Sequence, residues 1–400
     1  MSSLLPVAEA LERVLASAVP AQPVVELPLI DALGAVLAQD IVSGVDVPGE
    51  DNSAMDGYAL RVADAGQALP VSQRIAAGAF PVPLEPGTCA RIFTGAPVPP
   101  GADAVVMQED CRQEDGRVHF TAIPAAGQHI RPRGQDVAAT ATVLRRGRVL
   151  RPQDLGLLAS VGRALVPVYR PLRIAVLATG NELLEPGAGP LGSGQVYNSN
   201  RFTLAGLVRS LSMTFVDAGI VRDDARATAA ALQQAASRAD CVITSGGVSV
   251  GEEDHVKAQV QRLGELQLWK LAIKPGKPLA FGRIGRTPFI GLPGNPSSVF
   301  VTFCLVARPF LRKLQGISEP EPPLLQARAA FAVSAPGSRQ EYLRVSLRAV
   351  GGALEAVPFG NQSSGVLSSV SHSNALAVIP PGATVSEGDM VQVMLLDLLA

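Results

Sequence analysis

The most constraining stretch of this chain begins at Pro171 and runs for about 140 residues. "LRIAVLATG" is an apolar run that stops at Gly180. A helix is expected near Asn200 to Leu211, then a strand "TFVDAGIV", then the alanine-rich helix "ARATAAALQQAASRA". The strand "DCVITS", the turn "GGVSVG", the helix "EEDHVKAQVQRLG", the strand in "TPFIGLPGNP" and the helix "SSVFVTFCLVARPFLRKL" complete the series. Strands alternating with helices predict a parallel sheet covered on both faces. Ligands of such sheets bind beyond the carboxyl ends of the strands. Three of those ends carry unusual sequences: "ATGNE", "TSGGVSVGEED" and "GLPGNP".

The flanks read differently. Val7, Leu11, Val14 and Leu15 recur at helical spacing, so an amphipathic helix opens the chain, and a second short helix is expected in "IDALGAVLAQ". From Val45 the chain breaks into short runs divided by Gly and Pro, in keeping with 39 glycines and 32 prolines overall. Asp115-Gly116 between "AVVMQED" and "RVHFTAI" is a hairpin signal. The expected organisation is a discontinuous N-terminal helical and β domain (1–45 with 138–170), an inserted β domain (46–137), a doubly wound α/β domain (171–318) and a C-terminal β barrel (319–400). "SEPEPPLL" serves as the linker into the barrel.

Composition narrows the function classes. Hydrophobic residues make up 47% and charged residues 17%, enough for large cores. A formal net charge of -1 supplies no global field for nucleic acid or an anionic membrane, and 4% aromatics argue against a base-stacking single-strand binder. The four cysteines and four histidines are scattered, which speaks against a zinc or redox motif. The N-terminus lacks the features of a signal peptide and no apolar run is long enough to span a bilayer, so a cytoplasmic protein is expected.

Each candidate motif admits two readings. "SGGVSVG" is neither a Walker A loop nor a dinucleotide fingerprint, yet Gly246 and Gly247 permit positive φ and free amides toward a phosphate. It also suits a plain strand-to-helix turn, with Glu252 and Glu253 complementing the helix dipole. "KLAIKPGKP" stiffens Lys274 and Lys277 around Pro275 and Gly276, which suits an oxoanion; two solvated hairpin lysines are the ordinary alternative. "GLPGNPSS" reads as a buried strand, a loop and a helix capped by Asn295 or Ser297. "NSAMDGYA" (Asn52, Asp56, Gly57) and "RPRGQD" (Arg131, Arg133, Asp136) read in isolation as turns with solvated charges.

Taken in order, "DVPGEDNSAMDGYA", "RIFTGAPVP", "RPRGQD", "LATGNEL", "SGGVSVGEED", "WKLAIKPGKP" and "GLPGNP" resemble one family over nearly the whole chain. It is the molybdopterin molybdotransferases of the MoeA and gephyrin E-domain type. The resemblance implies an elongated homodimer of four-domain subunits, with the central domain like the molybdopterin adenylyltransferase fold. It implies loading of molybdate onto adenylylated molybdopterin with release of AMP and with Mg²⁺. A molybdopterin adenylyltransferase and recipient molybdoenzymes would be partners.

Matching by motif, Asp56, Asp136, Glu182 and Asp254 correspond to active-site acids, with Glu182 and Asp254 serving the metal. Gly246, Gly247, Ser249, Gly294 and Asn295 correspond to the pterin nucleotide site. Lys274, Lys277, Ser298, Arg344 and Ser368 correspond to molybdate-contacting positions. Three cations and two hydroxyls suit a doubly charged tetrahedral oxoanion, and Mg²⁺ needs only carboxylates and phosphates. One departure is Asn181, uncharged where the family usually has Asp. The alternatives are an adenylyltransferase, against which the extra β domains and "KPGKP" argue, and a cofactor-carrying scaffold of the same fold.

Overall fold

The computed structural model describes residues 4–248, 255–335 and 337–396. Its centre is a six-stranded sheet in the order Thr214–Val221, Arg173–Thr179, Cys241–Ser245, Thr287–Leu292, Pro278–Ile284, Gly264–Lys270. The first four strands are parallel, with Ala175 opposite both Val216 and Val242, and Val242 opposite Phe289. Pro278–Ile284 runs antiparallel to both of its neighbours, so the parallel sheet expected carries one reversed strand next to its edge. The physical reason lies in the connections: Gly285 has a φ of 57° in the short link between Pro278–Ile284 and Thr287–Leu292, and a short link joins only antiparallel neighbours.

Strand alternation divides the core in two. Ile174 and Val176 point to a face shared with Leu204, Val208, Phe303 and Phe310. Ala175 and Leu177 point to the opposite face, against Leu232, Val256 and Val260. A period of two therefore sorts one apolar run onto both covering layers. The helices Ser199–Ser210 and Ala225–Arg238 form where expected, each with an N-cap side chain, Asn198 accepting from the Arg201 N–H and Asp224 from the Ala227 N–H. The first helix, Val7–Ala16, buries Ala10 and Val14 in the first of these cores.

Strand Arg173–Thr179 comes first in the chain yet lies between Thr214–Val221 and Cys241–Ser245. The strand order reverses there, which opens a crevice at the carboxyl ends.

"IDALGAVLAQ" does not form the expected helix. Only a 3₁₀ turn, Leu29–Asp31, is present. Gly34 takes a φ of 76°, and Val36 and Leu37 make bridges to Val149 and Val168. The apolar residues thus pack as extended chain on the sheet formed by Val24–Pro28 and Leu165–Tyr169.

The stretch after Val45 forms a six-stranded sheet in the order Ala104–Met107, Gly57–Leu60, Cys89–Ile92, Leu69–Ile75, Arg117–Phe120, Cys111–Glu114. Asp115 and Gly116 both have positive φ between its last two strands, as a two-residue hairpin turn requires. The C-terminal region is a closed barrel in which Gln340–Val350 pairs with both Ala353–Pro358 and Ala375–Ile379. Leu324–Ala329 and Met390–Leu395 complete the ring. Among the described residues no helix is long and apolar enough to cross a membrane.

Helix Pro152–Ser160 is held by a buried carboxylate. Asp154 accepts from the Arg151 backbone N–H at 3.0 Å and from Arg148 Nη2 at 2.7 Å. Burial alone would raise its pKa, but these bonds hold it down to about 2. A depressed carboxylate stabilises the fold above its unfolded pKa, and that contribution is lost as pH falls through the folded one. Asp154→Asn is therefore expected to cost roughly 2 kcal/mol at neutral pH. In urea denaturation curves the gap from the unsubstituted protein should shrink steadily between about pH 4 and pH 2.

Candidate functional site

The three strand ends singled out above converge. The Gly246 N–H donates to Leu292 O at 3.1 Å, and a Cβ on Gly294 would lie 3.9 Å from the Gly246 Cα. A Cβ on Gly247 would approach Thr179 Oγ1 to 2.9 Å and Val256 Cγ2 to 2.5 Å. Gly246 and Gly247 have φ of 86° and 67°, so the turn needs glycine for both conformation and space.

Over these ends lies a cleft of about 820 Å³, closed on its far side by the barrel. Its lining brings together Glu182, Lys274, Lys277, Gly294, Asn295 and Ser298 from the sequence-predicted set. The Lys-Pro-Gly-Lys-Pro turn is seated by Gly276, whose φ is 106° and whose Cβ would sit 2.3 Å from Thr302 Oγ1. The turn therefore rests directly on helix Pro296–Thr302, and both lysines remain exposed beside Ser298. Lys274 Nζ donates to Glu341 Oε1 at 2.9 Å, which aims the ammonium at the barrel.

Asn295 occupies the N-cap position of helix Pro296–Thr302 but makes no side-chain cap. Its Nδ2 instead donates to Ser364 Oγ at 3.2 Å, while the Ser297 N–H donates to Ser364 O at 3.0 Å. Ser297 Oγ donates to Val366 O, so neither residue caps this helix as the sequence suggests. A loop of the barrel supplies the acceptor for the helix end, which binds the two lobes at the cleft floor.

Glu182 is exposed, and its carboxylate folds back over Gly180, where a Cβ would be 2.4 Å from Glu182 Oε2. Gly180 has a φ of 147°. Asn181 makes a reciprocal pair with Asp223: each backbone N–H donates to the other's side-chain oxygen at 3.3 Å. The Asn181 carbonyl oxygen is thus occupied within the chain.

Other expected residues lie elsewhere. Asp56 and Asp136 are in the inserted β region, outside this cleft's lining. Asp56 Oδ1 accepts from the Thr94 N–H at 2.7 Å and hydroxyl at 2.8 Å, which lowers its pKa. Arg344 does not reach the lining either. Its guanidinium is 1% exposed and donates to Ser369 Oγ, Tyr342 O and Ser363 O. Burial pushes its pKa down to about 10. It sits behind the 362–365 loop and holds that loop from the inside, through Gln362 as well. Ser368 is exposed at the start of helix Ser368–Ser371 and is also outside the lining. Ser249 and Asp254 lie outside the described residues.

Three lining residues carried no motif. Arg339 donates to Ile273 O at 3.2 Å and adds a third cation beside the lysines. Asn200 Nδ2 donates to Gly294 O at 2.8 Å, while its Oδ1 is buried with no partner among the described residues. Asn198 is buried as a helix cap. Arg339 stands in an unremarkable loop, and only its step from the paired strand Gln340–Val350 could have signalled it.

Three family models match consecutive parts of the chain: the MoeA N-terminal region (domain I and II) over residues 5–162, a probable molybdopterin binding domain over 175–313, and the MoeA C-terminal region (domain IV) over 326–396. A molybdopterin molybdenumtransferase of Haemophilus influenzae is 41% identical over 377 residues, 92% of each chain. Molybdopterin molybdenumtransferase 2 of Mycobacterium tuberculosis is 38% identical over 400 residues, 96% of this chain and 97% of that one. The crystal structure of a molybdopterin biosynthesis moeA protein from Pyrococcus horikoshii superposes with a TM-score of 0.86 at 30% identity, covering 98% of this chain and all of that one (100%).

The seat of the lysine turn can be tested directly. Gly276→Ala is expected to destabilise the protein by about 1–3 kcal/mol, from the clash with Thr302 and the positive φ. Thr302→Ala alone should be nearly neutral, since Thr302 Oγ1 has no partner among the described residues. Combining the two should recover the steric part only, read as a coupling energy in a double-mutant cycle of chemical denaturation.

Proposed function

Because this chain belongs to the MoeA family of molybdopterin molybdenumtransferases, we propose that it is one itself, transferring molybdate to adenylylated molybdopterin with release of AMP. The observation that carries the reading is the cleft, in which Lys274, Lys277 and Arg339 face the glycine-lined ends of the central sheet. Cations on one wall suit an oxoanion; Gly294 on the other, with the Gly246–Gly247 turn beside it, suits the close approach of a phosphate or a heterocycle.

In this assignment Lys274, Lys277, Arg339 and Ser298 hold molybdate, with Arg339 in the place first given to Arg344. Arg344 keeps the 362–365 loop in position from behind. Gly246, Gly247, Gly294 and Asn295 hold the nucleotide, and the unpaired Oδ1 of Asn200 is an acceptor ready for an N–H or O–H of that ligand. Mg²⁺ fits the donor set: Glu182 lines the cleft and its carboxylate has no hydrogen-bond partner among the described residues, and this ion takes one or two carboxylates with substrate phosphates. Among the described residues no three His, Cys, Asp or Glu side chains are placed to hold a metal ion together. When bound, Mg²⁺ would neutralise charge on the pyrophosphate. Asp254 is assigned to the same task by its motif. Unpaired cysteines suit a reducing cytoplasm.

Lys274→Ala is expected to raise the molybdate concentration for half-maximal loading by about ten- to a hundred-fold, the loss of one charge-assisted contact. Calorimetry with adenylylated molybdopterin should show nearly unchanged affinity. A collapse of nucleotide affinity with unchanged molybdate dependence would transfer the lysines to the nucleotide.

Asp56 and Asp136, absent from the cleft lining of their own chain, are assigned to the cleft of a second copy in a homodimer. Light scattering should then give twice the chain mass. Asp56→Ala and Lys274→Ala proteins, each inactive at low molybdate, should regain up to about a quarter of normal loading when unfolded and refolded together, since half of the dimers are mixed and each mixed dimer restores one of its two sites. Mixed samples no more active than the separate ones would place all the acids and cations in one chain.

A further inference from the structure

A second cleft, of about 750 Å³, lies where the N-terminal lobe meets the end of the long helix of the central domain. It shares no lining residue with the cleft described above. Its charged lining is Arg145, Arg146, Arg148, Arg151 and Arg312, against Glu319. Asp154 sits behind Arg148 and Arg151, with its side chain 3% exposed, and takes one bond from each guanidinium besides the Arg151 backbone N–H. Five guanidiniums thus face two carboxylates in a chain whose overall charge is -1.

The site is built rather than incidental. Gly147 turns the segment Arg145–Arg148 with a φ of 83°, and a Cβ there would lie 2.1 Å from Ser318 Oγ. The Gly147 N–H donates to Leu37 O, and Ser318 returns bonds from its N–H to Gly147 O at 3.2 Å and from Oγ to Arg146 O at 3.3 Å. The Arg146 N–H donates to Asp40 Oδ1 at 2.7 Å. Backbone from two distant parts of the chain therefore fixes where the arginines start.

Donor capacity is left over. Arg148 and Arg312 each have a buried Nε–H with no acceptor among the described residues. Arg145 is exposed, and its side chain makes no hydrogen bond or ion pair among them. Guanidinium forks match phosphate oxygens two at a time, which ammonium groups do not. The Tyr169 ring nearby is already covered by the Arg146 guanidinium, 5.6 Å from its centroid, so it offers no platform for a base.

We propose that this arginine cleft binds a phosphate-bearing anion, recognised through its phosphate and not through a stacked ring, at a site separate from the molybdate cleft. The ligand's source is either free inorganic phosphate or pyrophosphate, or the phosphate of a nucleotide.

Calorimetric titration at low ionic strength with pyrophosphate, AMP and adenosine tests this. Pyrophosphate and AMP should each bind saturably and adenosine not at all. Tighter AMP points to a nucleotide source, and equal or tighter pyrophosphate to an inorganic one. Arg145→Glu should weaken binding by at least about tenfold, because a charge-assisted contact becomes a repulsion. That side chain holds nothing else, so folding should be intact, and Arg312→Met provides a second variant. Because the principal cleft is itself proposed to take a nucleotide, the loss of pyrophosphate binding in Arg145→Glu and Arg312→Met assigns the ligand to this cleft, and Lys274→Ala should leave pyrophosphate binding unchanged. Absence of saturable binding, affinity unaltered by Arg145→Glu and Arg312→Met, or loss confined to Lys274→Ala would overturn the proposal.

Discussion

The geometry of the principal cleft depends on a parallel pairing only two residues long. Ile273 lies opposite Gln340 and Lys274 opposite Glu341. The Gln340 N–H donates to Ala272 O at 2.8 Å, and Arg339 reaches Ile273 O. Through those contacts the first strand of the barrel is continued into the lysine turn of the α/β lobe. Break the register by one residue and Lys274 loses Glu341, Arg339 leaves the wall, and the 362–365 loop no longer meets helix Pro296–Thr302. The Ser364 contacts reinforce the same junction from the other end. Charge placement in the cleft is therefore a consequence of how two lobes are joined, since neither lobe holds the three cations alone.

That junction explains what the sequence disclosed and what it did not. Arg173–Thr179 and Cys241–Ser245 are the strands the apolar runs predict, because central parallel strands are buried along nearly their whole length. Gly180, Gly246, Gly247 and Gly291 in "ATGNE", "SGGVSVG" and "GLPGNP" were legible as marking this edge, since positive φ or close approach demands glycine at each. "IDALGAVLAQ" misled because its apolar spacing fits a helix locally, whereas Val36 and Leu37 are claimed by strands more than a hundred residues away. Arg339 was silent for a similar reason: one arginine in a loop gains meaning only from a pairing that the linear order hides.

Arg344 shows the limit of carrying a role across by motif. A cation in a barrel strand looks suited to an oxoanion, but this guanidinium is wholly enclosed and its donors go to one hydroxyl and two carbonyls. A buried charge is expensive unless its hydrogen bonds are satisfied, and here one of the three acceptors is Ser363 O in the loop that lines the cleft. In this chain the link of Arg344 to the cleft is through the 362–365 loop, which it bonds from behind.

The two cationic clefts differ in a way that bears on their ligands. In the first, lysines on a turn stiffened by proline and glycine present compact charges, and one is checked by Glu341 at 2.9 Å. An anion entering there must compete with a carboxylate for Lys274, which favours a dense, doubly charged species over a weak one and eases its departure. In the second, guanidiniums outnumber carboxylates, and two Nε–H groups lack any acceptor among the described residues. An unsatisfied buried donor raises the free energy of the empty state, so a bound oxyanion that lets these guanidiniums redistribute their bonds gains what the empty cleft lacks. Transient holding suits a wall on which chemistry turns over. Standing excess of donors suits a wall that retains its ligand.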